Sequence, residues 1–304
     1  MRPAHWAIGI TALLTVTGCA SAAPAAQPGG ASPVTSAARP GAGISPRASA
    51  ATTKLPAAAR PRPKPQVISS RFRAADGSVV TLARFAGPVR LRLHAGSNDP
   101  GAGALSVVRA GPRVAAGERG RLLAAFNGGF LLSAGDGGYE QERHVIRPLL
   151  PGLASLVIDT SGTARIGAWG YGLPRPGEAV FSVRQNLRLL VRAGHASTAA
   201  ADWTAWGATL GGGEYVPRSA LGETAAGQLI YAGGISTTPA DLAAALVHAG
   251  ARTAMELDIN LEWVQLDIAR GPGRSLRAAI PGQVRPADQF LLGWTRDFIT
   301  VLAR

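Results

Sequence analysis

This 304-residue chain predicts a single strand-rich domain of α+β (mixed α/β) class with few helices. Three observations carry that reading. Short β-branched and apolar runs, cut by Gly, Asp, Asn and Pro, recur from residue 67 to the C-terminus. One helix is strongly marked and runs directly into a strand-like segment. No repeat of solenoid period is present. The span 67–304 is long enough for one domain with a real core, and no second boundary interrupts it. Cys19 is the only cysteine, so the domain can build neither a disulfide framework nor a Cys-based zinc site, and it must stand on packing.

The runs Gln66–Phe72, Val79–Phe85 and Val89–His94 open the domain as strands. Leu105–Val108, Leu122–Phe126, Leu156–Ile158, Ala164–Ala168, Val180–Val183 and Leu187–Val191 follow. Thr160, Ser161 and Gly162 between two of these runs read as a hairpin turn. Leu229–Ala232 and Ala254–Ile259 close the set. The helix lies between these last two. Thr238 can cap it, Pro239 suits its first position and Asp241 completes a capping-box spacing; Leu242, Leu246 and Val247 give an apolar face, and Gly250 a stop. Strand, helix and strand in that order predict a right-handed crossover.

The segment before the domain reads differently. A basic start at Arg2, an apolar run over residues 7–16 and the small-residue turn before Cys19 match a bacterial secretory signal of the lipoprotein type, residues 1–18, with Cys19 lipidated. The competing reading is an ordinary signal peptide with a chance cysteine. Residues 19–66 are rich in Ala, Pro, Ser and Gly and hold no acidic residue, the composition of a disordered stalk. Of the 31 Lys and Arg, 24 lie beyond the stalk with all 18 acidic residues, so the domain carries about +6 of the chain's +13. The basic cluster among Pro61, Pro63 and Pro65 either meets anionic lipid or wall polymer or is a stiff, solvated spacer. A single acyl chain holds weakly, so anchoring calls on a second chain or on this stalk. The expected location is extracytoplasmic, at a membrane surface.

Chemistry has several candidate positions. On an extended strand through Ile259, Glu256, Asp258 and Asn260 share one face, and two carboxylates so close push their pKa values apart and can divide acid and base roles; a half-exposed strand with one wet face gives the same pattern. Asn127, Gly128 and Gly129 end an apolar run, either as amides open to a ligand or as a plain turn. Arg218 and Ser219 stand at a strand entrance, where a guanidinium can clamp phosphate or carboxylate or simply be surface charge. Arg184, Gln185 and Asn186 line a polar cleft or form an exposed bend. His195 is the imidazole best suited to catalysis, and His144 fits a charged loop. Trp203, Trp206 and Trp263 offer sugar-stacking faces or core volume. His144, His195 and His248 are too far apart in sequence to mark a metal site, no G-x-S-x-G elbow is present, and Gly211–Gly213 lack the Lys and Ser/Thr of a phosphate loop. No metal ligand set is assigned, and the cofactor is unknown.

In order, Ala125–Phe130, Asn186–Gly194, Val216–Gly222, Gln228–Gly233, the helix from Pro239 to Ala249 and the strand Ala254–Asp258 resemble the phosphodiester glycosidase family. That family typically shows an Asn-Gly-x-Phe turn, a Pro-Arg-Thr/Ser-Ala-hydrophobic-Gly segment and a hydrophobic-Asn-x-Asp strand. The departures are specific. The glycines and serines that usually follow the family's Asp are replaced by Ile259, Asn260, Leu261, Glu262 and Trp263, and the glycine run before the Leu-Val segment by Val183, Arg184 and Gln185. The resemblance implies hydrolysis of a sugar-1-phosphodiester, with Arg218 on the phosphate, Asn127 and Ser219 bonding phosphate or sugar hydroxyls, and Asp258 with Glu256 in general acid/base work; Gly128 and Asn260 are further candidates for binding substrate, and His195 a further candidate for catalysis. The expected partners are a sugar phosphodiester or cell-wall glycan and a membrane reached through the lipid anchor, with no nucleic acid. The alternative is a catalytically silent lipoprotein that binds wall glycan through the same cleft.

Overall fold

The computed structural model describes residues 64–271 and 275–304. The expected signal, Cys19 and all of the stalk before Lys64 lie outside the described residues. In chain order the regular elements are β1 (Gln66–Arg73), β2 (Val79–Ala86), β3 (Val89–His94), α1 (Ala102–Leu105), α2 (Ala116–Arg119), β4 (Leu122–Asn127), β5 (Tyr139–Gln141) and β6 (His144–Arg147). There follow β7 (Ala154–Asp159), β8 (Ala164–Ala168), β9 (Val180–Gln185), β10 (Leu189–Arg192), β11 (His195–Ala196) and three 3₁₀ turns over residues 198–212. The chain ends with β12 (Val216–Thr224), β13 (Leu229–Thr237), α3 (Pro239–His248), β14 (Ala251–Glu256), β15 (Leu266–Ala269), β16 (Leu276–Ala278), α4 (Gln289–Leu292) and β17 (Phe298–Ala303).

The strands form three sheets, ordered β1-β2-β13-β12-β14-β10-β11, β16-β15-β4-β17-β3 and β6-β5-β9-β7-β8. Every paired neighbour is antiparallel. The architecture is therefore mostly β. The expected strand-rich character holds, whereas the mixed α/β label is only roughly right, because α3 alone among the described helices exceeds four residues. One core joins all three sheets, with Phe85, Tyr231 and Met255 from the first, Phe126, Leu266 and Ile299 from the second, and Leu156 and Ile166 from the third. A second core lies on the other face of the seven-stranded sheet, where Leu242 and Leu246 of α3 meet Ile230, Ala232 and Ala254.

Local signals set α3 as the sequence implies. The Thr238 hydroxyl accepts from the Asp241 amide at 3.1 Å, and the Asp241 carboxylate accepts from the Thr238 amide at 2.9 Å, so two otherwise unpaired helix-end donors are satisfied. Strands β13 and β14 both run antiparallel to β12 between them, so the β13-α3-β14 unit is a crossover between parallel strands. The β7–β8 hairpin forms at Thr160–Gly162, where Asp159 Oδ1 takes the amides of Ser161 and Thr163. Two expected strands differ. Leu105–Val108 makes none, because the amides of Ser106, Val107 and Val108 bond back to the carbonyls of Ala102 and Ala104 and close a short helical turn. The run Ala254–Ile259 is regular strand only to Glu256; beyond it Ser219 of β12 faces both Leu257 and Asp258, which breaks the expected alternation of Glu256, Asp258 and Asn260.

Candidate functional site

The three sheets meet at one polar cluster. The C-terminal end of β4 brings Asn127 and Gly128, the chain just past β14 brings Asp258, the residues just before β17 bring Arg296 and Asp297, and β9 brings Arg184. These segments are pinned to one another by backbone and side-chain bonds. Gly128 N donates to Asp297 O at 2.9 Å, Ser219 N to Asp258 O at 2.9 Å, and Leu257 N to Ser219 O at 2.8 Å. Asn186 Nδ2 donates to the carbonyls of Glu256 and Leu257 and so holds the chain from its other side where it passes the end of β14.

Asp258 is the centre. Its Oδ1 accepts from the amides of Ile259 at 2.7 Å and Asn260 at 3.0 Å, and its Oδ2 from Arg296 Nη1 at 2.8 Å. Burial pushes its carboxyl up to about 6, against the pull of Arg296 and of the two amides. A cavity of about 170 Å³ opens on this group, walled by Phe130, Leu131, Ala134, Gly207 and Ala208 and floored by Asp258, Asn260 and Arg296. Arg296 Nε is buried with no partner among the described residues, a donor left over beside that cavity.

Behind it, Arg184 Nε donates to Asp297 Oδ2 at 2.8 Å, with both side chains buried. Burial pushes the nearby Asp99 carboxyl up, and Asp297 adds to the rise. Gly128 has to be glycine: a Cβ there would stand 1.9 Å from Asp297 Oδ2. Gly207, at φ +97°, would bring a Cβ to 2.8 Å from Phe130 and Ile259 on the cavity wall.

The structure thus brings Asn127, Gly128, Ser219, Asp258 and Asn260 together. Asn127 spends its polar atoms internally, since Nδ2 donates to Ser219 Oγ at 2.9 Å while Oδ1 accepts from Tyr231 Oη at 2.9 Å and Gln265 N at 3.1 Å. Ser219 Oγ in turn accepts from the Asp258 amide and donates to its carbonyl, both at 3.1 Å. Arg218 and Glu256 lie on the other face of the sheet, each fully buried, with Arg218 Nη1 donating to Glu256 Oε1 at 2.9 Å and to Trp206 O at 3.1 Å. Burial pushes the Glu256 carboxyl up while Arg218 pulls it back. His195 is exposed on β11, the outer edge of the seven-stranded sheet. Cys19 lies outside the described residues.

Arg184, Gln185 and Asn186 are buried, so they form polar interior rather than an exposed bend. Trp206 is buried with Nε1 donating to Ala199 O, and Trp263 is buried against Arg285 and Arg296. Sequence reasoning missed Arg296 and Asp297. The available signal was an Arg-Asp pair set directly before the apolar run Phe298–Leu302. Among the described residues no group of three or more His, Cys, Asp or Glu side chains gathers as a metal site. Chemically, the arrangement offers a carboxylate with a near-neutral pKa, held by a cation with a spare donor, at the floor of a partly apolar cavity.

No protein-family model matches this sequence, and no curated protein matches it. Solved structures do resemble it. The catalytic domain of zebrafish N-acetylglucosamine-1-phosphodiester alpha-N-acetylglucosaminidase, auto-inhibited by its pro-peptide, is 15% identical, with a TM-score of 0.50 over 82% of this chain and 85% of that one. A hypothetical protein from Synechocystis is 13% identical, with a TM-score of 0.45 over 79% of this chain and 62% of that one. The zebrafish likeness is one of fold.

Proposed function

We propose that this domain hydrolyses a sugar-1-phosphodiester, with water attacking the anomeric carbon, the bond from that carbon to the phosphate oxygen breaking, and a phosphomonoester leaving. The observation that carries this reading is the Asp258–Arg296 pair on the cavity floor, in which Asp258 engages only Nη1 of the guanidinium. An anomeric phosphate is a good leaving group, so the protein's task is to hold the diester, offset its charge and activate water. Arg296 meets the phosphate through the edge of its guanidinium that Asp258 leaves free, and Asp258, ionised near neutral pH, takes a proton from the attacking water. Asn260 reaches the sugar from the cavity floor. Asn127 and Ser219 fix the Asp258 backbone, and the Arg218–Glu256 pair braces β12 against β14 immediately before it. The shared fold with a phosphodiester glycosidase catalytic domain supports the reaction class.

The test is incubation of the purified protein with a panel of sugar-1-phosphodiesters, reading released sugar. Release from at least one diester, lost in Arg296→Gln, is expected; no release from any member, or equal release by the variant, overturns the reading. We further propose that Cys19 carries the lipid that holds the domain at the envelope. Cys19→Ser should then move the protein from the membrane fraction to the soluble one, and an unchanged partition contradicts it.

A further inference from the structure

Beside the candidate site, two tilted indoles form a notch. The rings of Trp263 and Trp294 have centroids 5.9 Å apart at 44°, and the Arg285 guanidinium lies in the angle between them, 4.7 Å from the first and 4.5 Å from the second. Arg285 is held in turn by Glu262, donating to its Oε2 at 2.5 Å and to its carbonyl at 3.3 Å. Trp263 also carries Arg296 at 4.7 Å, the same Arg296 that binds Asp258. A chain of cation and π contacts therefore runs from Trp294 to the partner of Asp258.

Trp294 is the end of this chain that meets water. The residue is 55% exposed although its inner side rests on Arg285 and Trp263, so the outer side of the indole faces solvent. Its backbone is hydrogen-bonded on both sides. Gln289 Nε2 donates to Trp294 O, Asn98 N to Thr295 O at 2.8 Å, and Ser97 Oγ to Gly293 O at 2.9 Å. A large aromatic ring thus projects from an anchored backbone, backed by Arg285 and Trp263, open on one side and two residues from Arg296. Such a ring loses little conformational entropy when it binds.

We infer that Trp294 is a stacking platform for a sugar ring of a glycan whose phosphodiester end enters the Asp258 cavity. This rests on the proposed reaction and specifies its substrate as glycan-borne. A pyranose has a flat C–H face ringed by hydroxyls, and the indole here presents a flat apolar face backed by Arg285, which in turn holds the Glu262 carboxylate, more than half exposed and an acceptor. A lipid bilayer fits less well, because contact through the same face would strip water from that carboxylate.

The test is binding by the full chain of phosphate-free oligosaccharides, namely N-acetylglucosamine oligomers and glucan oligomers, followed by tryptophan fluorescence and calorimetry. The wild type is expected to bind at least one of them. Trp294→Ala should weaken that binding about tenfold or more, and Trp294→Phe only a few-fold, with circular dichroism and thermal midpoint reporting an intact fold. Binding of no oligosaccharide, or equal binding by wild type and Trp294→Ala, overturns the inference. So does a Trp294 dependence seen only with phosphatidylglycerol vesicles. These probes carry no phosphate and no cleavage is read, so failure here leaves the hydrolysis reading standing, while failure of Arg296→Gln to affect sugar release strikes that reading alone.

Discussion

Replacing Gly128 with alanine should be among the most damaging single-methyl changes in the molecule. The new Cβ would lie 1.9 Å from Asp297 Oδ2, 2.4 Å from its Cγ and 2.8 Å from its carbonyl oxygen. Alanine has no rotamer with which to escape, and the Gly128 amide bonded to Asp297 O ties the two backbones together. The carboxylate must therefore move, and it is the partner of Arg184 in a buried ion pair at 2.8 Å. Parting such a pair leaves a buried charge uncompensated and costs about 3–5 kcal/mol. A domain typically has about 5–15 kcal/mol to lose, so the variant should be marginal. Equilibrium urea unfolding against wild type reads the loss directly. Gly103→Ala is the internal control, since a Cβ there meets nothing within 4 Å in helix α1 and should be neutral or stabilise by up to about 1 kcal/mol. If Gly128→Ala stays within about 1 kcal/mol of wild type, the tight pairing of the Asn127 turn with Asp297 is wrong.

Other outcomes follow from single features. Thr238→Ala removes the capping acceptor of α3 and should lower stability by about 1 kcal/mol in the same urea assay, with Asp241→Ala adding little to it because the two share one reciprocal cap. Folding raises the Asp258 carboxyl from 3.8 to about 6, so across that window the native state keeps a proton that the unfolded chain has released. Stability therefore falls as pH rises through the window, by about 3 kcal/mol in all, and is flat above it. Asp258→Asn lacks this slope, and comparing its urea midpoints with wild type at about pH 4 and about pH 7 should show the balance shifting toward the variant at the higher pH. A parallel pH dependence in the two proteins would contradict the buried setting of Asp258.

Much of the fold was legible where its causes are local. The α3 boundaries follow from Thr238, Pro239, Asp241 and Gly250, and the β7–β8 turn from Asp159 to Gly162, since each is set by side chains within four residues. The site was legible only in part. Asp258 could be picked out as a carboxylate beside an apolar run, but its neighbours could not. The alternation rule placed Glu256 and Asp258 on one face because it assumed an extended strand, whereas β14 ends at Glu256, Ser219 faces both Leu257 and Asp258, and Asn186 holds the carbonyls of Glu256 and Leu257. That bond spans about seventy residues of sequence. The Arg184–Asp297 pair spans 113. Trp294 escaped notice because exposure is decided by tertiary packing, and its sequence neighbours Leu292 and Gly293 give no sign of it.

The most direct measurement is the pH–rate profile of sugar release from one accepted sugar-1-phosphodiester, for wild type and Asp258→Asn. With Asp258 as the base that activates water, the wild-type rate rises with pH through about 6 and levels off, and the variant loses about 10²–10⁴-fold together with that rise. An Asp258→Asn protein that is folded and releases sugar at the wild-type rate, with the same profile, contradicts the account.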